Sequence, residues 1–319
     1  MVIILLATYN GERYISELIE SILAQTVQDF KVIVCDDRST DSTFSIVNSY
    51  AEKNPGKIVV SQNETNTGSP KFNFLQMMIE YKNDYVMLCD QDDVWLPDKI
   101  DKCISKIREM ETEFGSSMPV LVHTDLKVVD EDLNLVSSSY EKMSNKDFSI
   151  TALNFVLTMN NAAGCTTIYN KALAEYIQTV PGFFVMHDWW LALTAAVFGK
   201  IGTVTEPTVL YRQHGENDKG AKRVLSPRYV FYVLTHIKTM KSMIEDSYKQ
   251  AGAFLEVFGD KITGENKELI SIYAALPLMP RMKRLKTVNK YKTYMYGFAR
   301  KAVQIFFIKT TKKKQGGTA

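Results

Sequence analysis

Cysteine is scarce in this chain: four residues in 319, at Cys35, Cys89, Cys103 and Cys165, with no CxxC pair and no zinc-ligand spacing to a histidine. Scattered cysteines in a chain of this length read as reduced thiols of an intracellular protein, not as a disulfide framework. Long apolar runs are missing as well. The N-terminal run spans only residues 2–7 and has no basic residue before it, which is too short for a signal peptide. No stretch reaches the ~18 apolar residues expected of a spanning helix. Secretion and transmembrane anchoring are therefore not expected, while peripheral membrane contact stays open. Three catalytic signatures are also absent: GxGxxG after the first apolar run, GxxxxGK[ST] and GxSxG. Their absence argues against a dinucleotide-dependent dehydrogenase, a P-loop NTPase and serine acyl chemistry.

Acid is the last thing missing, and only from one end. No Asp or Glu follows Glu268, whereas residues 269–319 hold twelve Lys or Arg. The formal net charge of +2 thus hides an acidic body and a basic tail, two parts with different partners. An anionic membrane surface, a nucleic acid and an acidic polymer are the classes the tail suits. It carries no nucleic-acid-binding motif, so no nucleic-acid partner is expected. With 45% hydrophobic and 23% charged residues, the rest is ordinary globular composition for one large domain or two modest ones.

What is present is a rhythm. Apolar runs at residues 2–7, 31–35, 57–61, 85–89 and 120–123 alternate with amphipathic segments. Ile15, Leu18, Ile19, Ile22 and Leu23 recur at helical spacing. Helices are predicted over 70–81 and 97–113, and Ser39 or Thr40 is placed to cap the helix after the second run. This β-α-β order predicts an α/β fold with a mostly parallel, Rossmann-like central sheet. Residues 130–150 read as a loop. Helices over 150–157 and 171–179, a strand over 165–169, a helix from about Asp188 and a strand over 203–211 follow. From Pro227 the pattern turns to long helices rich in Tyr and Met. The boundary falls between 215 and 227, giving a first domain of 1–220 and a C-terminal α-helical extension of 221–319.

Four polar clusters follow predicted strands or precede helices: Thr8-Tyr9-Asn10-Gly11-Glu12, Asp36-Asp37, Asn66-Thr67-Gly68-Ser69-Pro70-Lys71 and Asp90-Gln91-Asp92-Asp93. Parallel strands bring them to one sheet edge, where ligands of such folds bind. Three carboxylates in four residues repel one another unless a cation compensates. Hard oxygens suit Mg²⁺ or Mn²⁺ shared with phosphates. A solvated, capped turn is the plain alternative for each cluster alone.

Two further clusters lie downstream. Met186-His187-Asp188-Trp189-Trp190 opens an apolar helix. A carboxylate there is held ionised by the helix dipole and beside aromatic walls can act as a general base. An N-cap aspartate with core tryptophans explains the same pattern. In Tyr211-Arg212-Gln213-His214, His214 can join a metal site with Asp92, and Arg212 can meet a phosphate. A structural histidine fits equally well.

Taken in order, Thr8-Tyr9-Asn10, Asp36-Asp37, Asn66-Thr67-Gly68, Asp90-Gln91-Asp92-Asp93 and His187-Asp188-Trp189-Trp190 resemble family 2 glycosyltransferases of the GT-A fold, over about residues 2–217. The wording around Asp90–Val94 and His187–His214 is most similar to bacterial rhamnosyltransferases of cell-surface polysaccharide synthesis. The resemblance implies that Thr8, Tyr9, Asn10, Glu12, Asp37, Asn66, Gly68, Lys71, Asp90 and Gln91 serve the nucleotide sugar. It implies that Asp92 and His214 hold Mn²⁺ or Mg²⁺, that Asp188 is the catalytic base, and that His187, Trp189 and Trp190 meet the acceptor. His187 stands where the family usually keeps Glu. The implied reaction is inverting, metal-dependent transfer of a sugar, rhamnose from dTDP-rhamnose in the best match, to a lipid-linked saccharide at the cytoplasmic membrane face. Another UDP- or dTDP-sugar is the alternative donor. A nucleotidyltransferase and a non-catalytic nucleotide-sugar or lipid-carrier binding protein are the competing classes. The basic helices after 281 suit a membrane interface, or alternatively packing within the chain or a homodimer.

Overall fold

Continuous apolar runs become the centre of the sheet. In the computed structural model, which describes residues 1–215 and 236–310, β1 (Val2–Thr8) is buried at all seven positions. It is flanked on both sides, pairing in parallel with β2 (Phe30–Asp36) and β4 (Tyr85–Asp90). A strand covered on both faces needs no polar alternation, so it reads as an unbroken Val/Ile/Leu run. β3 (Ile58–Gln62) extends the parallel set beyond β2. The complete order is β3-β2-β1-β4-β8-β6-β9-β5 with β7 on β6, where β5 is Val94–Trp95, β6 Val120–Val129, β7 Leu135–Ser137, β8 Thr167–Asn170 and β9 Lys200–Arg212. β8 runs antiparallel to both β4 and β6, and β6 is parallel to β9. Six strands therefore share one direction, and the sheet is mostly parallel as expected.

The described residues cluster into two units. The first comprises Met1–Glu141, Ala162–Val180 and 198–215, and holds the sheet. Its helices are α1 (Ile15–Leu23), α2 (Thr43–Lys53), α3 (Pro70–Glu80), α4 (Lys99–Phe114) and α7 (Lys171–Ala174), with α5 (Tyr140–Met143) at its boundary. α1 buries Ile15, Leu18, Ile19 and Ile22, the three-and-four spacing of one helix face. The expectation that Ser39 or Thr40 caps α2 does not hold. α2 begins at Thr43 after Ser42, and the Ser39 backbone and hydroxyl are bonded to the Asp36 carboxylate instead.

The second unit comprises Lys142–Asn161, Pro181–Val197 and 236–310. It contains α6 (Leu153–Val156), most of α8 (His187–Phe198), α9 (Ile237–Phe258), α10 (Gly264–Ala274), α11 (Arg281–Tyr291) and α12 (Phe298–Thr310). Residues 142–161 and 181–197 thus group with the C-terminal helices, and not with the sheet as a sequential split at 220 expects. Aromatic packing is one reason: the Trp190 ring lies 5.1 Å from Phe254 and 6.1 Å from Phe258. The expected boundary at 215–227 and the Lys312-Lys313-Lys314 end of the basic tail lie outside the described residues.

Two arginines of the basic segment leave its solvated face. Arg284 is buried and donates to the carbonyls of Leu276 (2.9 Å), Pro277 (3.1 Å) and Met279 (3.2 Å). Arg300 is buried and donates to the carbonyls of Ser144 and Asn145. α6 and α7 are single turns, shorter than the 150–157 and 171–179 helices the periodicity predicts. No helix among the described residues is long and apolar enough to cross a membrane.

One close approach sets the start of the β6–β9 pair. Lys200 N donates to Pro119 O at 2.9 Å, and a Cβ on Gly199 would fall 1.9 Å from that same oxygen. Only glycine fits without moving backbone. Gly199→Ala is expected to lower stability by about 1–3 kcal/mol or more, read as a fall in the urea midpoint. An unchanged midpoint would contradict this account of the register.

Candidate active site

The parallel strands of the first unit deliver their carboxyl-end loops to one another as predicted. Thr8 Oγ1 donates to Asp36 Oδ1 (3.0 Å) across the β1–β2 pair. Asp36 is fully buried and also accepts from Ser39 N (2.9 Å) and Gln62 Nε2 (2.9 Å). Asn10 adopts a left-handed φ of 48°, a conformation asparagine tolerates better than most residues. Its Oδ1 accepts from Thr40 N (2.8 Å), and its N donates to Ser39 Oγ (3.0 Å). Glu12 Oε2 accepts from Ser42 N (2.8 Å). These bonds lock the first loop to the second and leave the Tyr9 ring 47% exposed.

Asp37 is equally committed. Its Oδ1 accepts from Asn63 Nδ2 (2.7 Å) and Thr67 N (2.9 Å), and its Oδ2 from Thr67 Oγ1 (2.7 Å). Its carbonyl accepts from Asn66 Nδ2 (2.7 Å). Asn66 Oδ1 in turn accepts from Gly68 N (2.7 Å), where φ is +76°. That positive φ needs glycine and turns the chain into α3, which starts at Pro70 and carries half-buried Lys71 in its first turn.

Gln91, expected to serve the donor, has both amide atoms occupied by backbone. Tyr9 N donates to its Oε1 and its Nε2 donates to Tyr9 O, each at 2.8 Å. A Cβ on Gly11 would meet that amide at 2.4 Å, so Gly11 makes room for the clamp. Gln91 is thus a brace between the first and fourth loops.

The aspartate run divides by burial. Asp93 is fully buried, and burial pushes its carboxyl well above the usual carboxylate range, with Asp92 and Asp90 pushing the same way. Its Oδ1 accepts from Arg212 N (3.3 Å). Ligand atoms of Asp90, Asp93 and Cys165 lie within 4.8 Å of one another. The Cys165 thiol is itself held protonated, by burial and then by Asp93. Nearby, Lys99 is completely buried. Its Nζ donates to Cys165 O (3.0 Å) and sits 4.7 Å from the centre of the Trp95 ring.

Arg212 corrects the expectation of a phosphate ligand. It is 3% exposed and donates from Nε to Asp92 O (2.9 Å), from Nη1 to Glu131 O (2.6 Å) and from Nη2 to Glu17, with its guanidinium 4.6 Å over the Tyr14 ring. This cation holds the end of β9 against the acidic loop.

The neighbouring His214 completes a donor pair. Its Nε2 lies 2.8 Å from Asp92 Oδ2, with side-chain exposures of 9% and 18%. Two ligands bound ~2.1 Å from one ion stand roughly 3 Å apart. The carboxylate oxygen suits Mg²⁺ or Mn²⁺ and the imidazole nitrogen a first-row metal such as Mn²⁺, whereas a protonated thiol such as Cys165 suits neither. The Asp92–His214 pair therefore fits the expected metal better than the Asp90–Asp93–Cys165 group.

The second unit holds Asp188, half-buried in the first turn of α8. Its Oδ1 accepts from Trp189 N (2.6 Å). His187, Trp189 and Trp190 are 3%, 8% and 1% exposed, which corrects the expectation that they present themselves to an acceptor. Trp189 donates from Nε1 to Val156 O (2.6 Å), and Trp190 sits among phenylalanines, so the indoles fasten α8 within its unit. Sequence reading missed the cations near Asp188. Lys146 donates from Nζ to Asn160 O (2.7 Å). Burial lowers its pKa to about 7; Arg300 adds to this and Asp188 opposes it. No local pattern links these residues, because the chain brings them together from distant segments.

Comparison with known proteins identifies the family and the fold. Residues 3–177 match the family model described as Glycosyl transferase family 2. The dTDP-rhamnosyl transferase RfbG of Shigella flexneri is 28% identical over 235 residues, 70% of this chain and 76% of that protein. A Mycobacterium tuberculosis relative of uncharacterised function is 30% identical over 211 residues, and there the chain spans 57% of the relative's length. Among solved structures, Staphylococcus aureus TarS 1-349 in complex with UDP-GlcNAc superposes with a TM-score of 0.53 at 18% identity, covering 91% of this chain and 89% of TarS 1-349. The mannosyltransferase PcManGT of Pyrobaculum calidifontis, in complex with GDP-Man and Mn²⁺, gives 0.50 at 15% identity, covering 96% and 87%. These two share the GT-A fold with the first unit's sheet and its helices. The family match covers more than half of the 319 residues, and the chain belongs to glycosyl transferase family 2 and is a glycosyltransferase.

Proposed function

We propose that the chain moves L-rhamnose from dTDP-L-rhamnose, with inversion, to a hydroxyl of a lipid-linked saccharide in bacterial cell-surface polysaccharide synthesis. The observation that carries the transfer chemistry is the Asp92–His214 pair at the carboxyl edge of the sheet, 2.8 Å apart. The rhamnosyl choice is supported by the likeness to RfbG at 28% identity.

The roles divide between the loops. Tyr9, Asn10, Glu12 and Asn66 line the nucleotide, with Thr8 and Asp37 fixing the walls and Asp37 closest to the base. Gly68 lets backbone approach closely, Lys71 meets the diphosphate, and Asp90 meets the ribose or sugar. Asp92 and His214 would hold a Mn²⁺ or Mg²⁺ ion, which would supply positive charge to stabilise the leaving diphosphate. Asp188 takes the proton of the acceptor hydroxyl. The oxygen then bonds to the anomeric carbon as the bond from that carbon to the diphosphate oxygen breaks. The acceptor is met at the cytoplasmic membrane face, where a lipid-linked saccharide is presented.

Three outcomes test this reading, and a fourth tests the electrostatics beside Asp188. In a thermal-shift screen with Mn²⁺, dTDP-L-rhamnose should raise the midpoint more than UDP-sugars do, because a bound donor stabilises by mass action. Asp188→Asn should reduce transfer by about 10²-fold or more while donor affinity, read by calorimetry, stays within a factor of about two. Retained transfer would remove Asp188 as the base. Asp92→Ala should abolish the Mn²⁺-dependent part of nucleotide binding, and unchanged binding would remove it from the metal site. Lys146 supplies the pH test. Its folded pKa of about 7 lies below the ordinary value of 10.5, so between these pH values the unfolded chain binds the proton and the folded chain does not. Stability from this group therefore rises with pH across that window. Lys146→Met should flatten the rise in denaturation midpoint between pH 7 and pH 10, and an unaltered slope would contradict the lowered pKa.

A further inference from the structure

α12 is built inside out. Its inward positions include two polar residues, Arg300 and Gln304, 9% and 1% exposed, beside Phe307 and Ile308. Backbone acceptors and donors satisfy both: Arg300 reaches the carbonyls of Ser144 and Asn145, Gln304 Nε2 donates to Thr293 O (3.0 Å), and Gln304 Oε1 accepts from Met295 N (2.9 Å). The outward face carries Phe298, Ala302 and Phe306, one above the other at i, i+4 and i+8. Phe298 is 89% exposed and Phe306 52%, and Lys301 is exposed beside them. The preceding helix of the same unit repeats the theme. On α11, Met282 is 67% exposed, and Arg281, Lys283, Lys286 and Lys290 are exposed. Phe298 and Met282 are the two most exposed large hydrophobic side chains among the described residues.

Charge selects what covers this face. No Asp or Glu occurs after Glu268, so every ionised side chain on α11 and α12 is a cation. A two-fold contact between copies through this face would bring cations against cations. Exposed aromatics among lysines instead match a helix at the boundary between headgroups and acyl chains of an anionic bilayer.

We propose that the outward face of α12, with the basic face of α11, docks on an anionic phospholipid surface, Phe298 and Phe306 entering the interface and the lysines meeting headgroup phosphates. This deepens the lipid-linked acceptor reading by naming the surface and the residues that reach it, and it partly rests on that reading. The binding measurement itself needs neither donor nor acceptor.

The test is sedimentation of the full chain with phosphatidylcholine vesicles, with and without phosphatidylglycerol. The wild-type chain should partition at least tenfold more strongly onto phosphatidylglycerol-containing vesicles, and less as salt rises. Phe298→Ser combined with Phe306→Ser should lower that partition at least tenfold while the circular-dichroism melting curve is retained, since both side chains are exposed. Lys301→Glu should lower it less. Equal partition onto both vesicle types, or an undiminished partition of the double variant, would overturn the proposal. So would a wild-type dimer in light scattering that the double variant dissolves, because a second copy would then own this face. Turnover of dTDP-L-rhamnose by the same preparations reads the donor choice separately: turnover without vesicle binding overturns only the docking proposal, and vesicle binding without turnover of that donor overturns only the rhamnosyl reading.

Discussion

Carboxylates gathered at one edge of a parallel sheet must be kept from driving the loops apart, and most of the first unit's polar structure answers that demand. Asp36, Asp37, Asp90, Asp92 and Asp93 all end or follow strands that point the same way. The fold uses three remedies. Asp36 and Asp37 are wrapped in backbone and amide donors. Asp93 is buried, and burial pushes its carboxyl well above the usual carboxylate range. Asp92 faces outward to His214, with Arg212 anchored on its carbonyl.

The second unit solves a different problem with the same means. One carboxylate, Asp188, sits half-buried at a helix start, and it and Arg300 both act electrostatically on buried Lys146. Arg300 belongs to α12 and grips the carbonyls of Ser144 and Asn145, just before Lys146. The last described helix therefore helps hold the segment that leads into Lys146. The outward apolar face and the inward polar face of α12 are two sides of one arrangement.

How much of this was legible in the residues depends on whether the signal was local. β1, β2 and β4 are buried on both faces and announce themselves as unbroken apolar runs. The convergence of their loops follows from strand direction, whereas a place for His214 beside Asp92 was one of two possibilities the residues left open, a structural histidine being the other. β5 and β7 were not foreseen, because two or three residues carry no alternation and form only where β9 and β6 offer an edge. The short α6 and α7 show tertiary contacts overriding a helical pattern. Side-chain roles were least legible. Arg212 has the same letter whether it meets a phosphate or a buried carbonyl. Gln91 looked like a donor ligand until the Tyr9 backbone was seen on both ends of its amide. Trp190 looked like a platform and is a core residue, since burial depends on Phe254 and Phe258 more than sixty positions away. Lys146 drew no attention, as only the folded chain sets it near Asp188.

The burial that raises the Asp93 carboxyl has a chemical consequence for sulfur. Cys89, Cys103 and Cys165 are buried and Cys35 is half-buried, and burial raises the pKa of all four thiols. The thiolate is the form that attacks electrophiles and oxidants, so at neutral pH the native thiols are held in their unreactive state. A fluorophore or spin label directed at a single introduced surface cysteine would therefore meet little competition from the natural ones, and the folded chain is shielded from the oxidative chemistry to which an exposed thiolate beside so many metal-binding groups would be open.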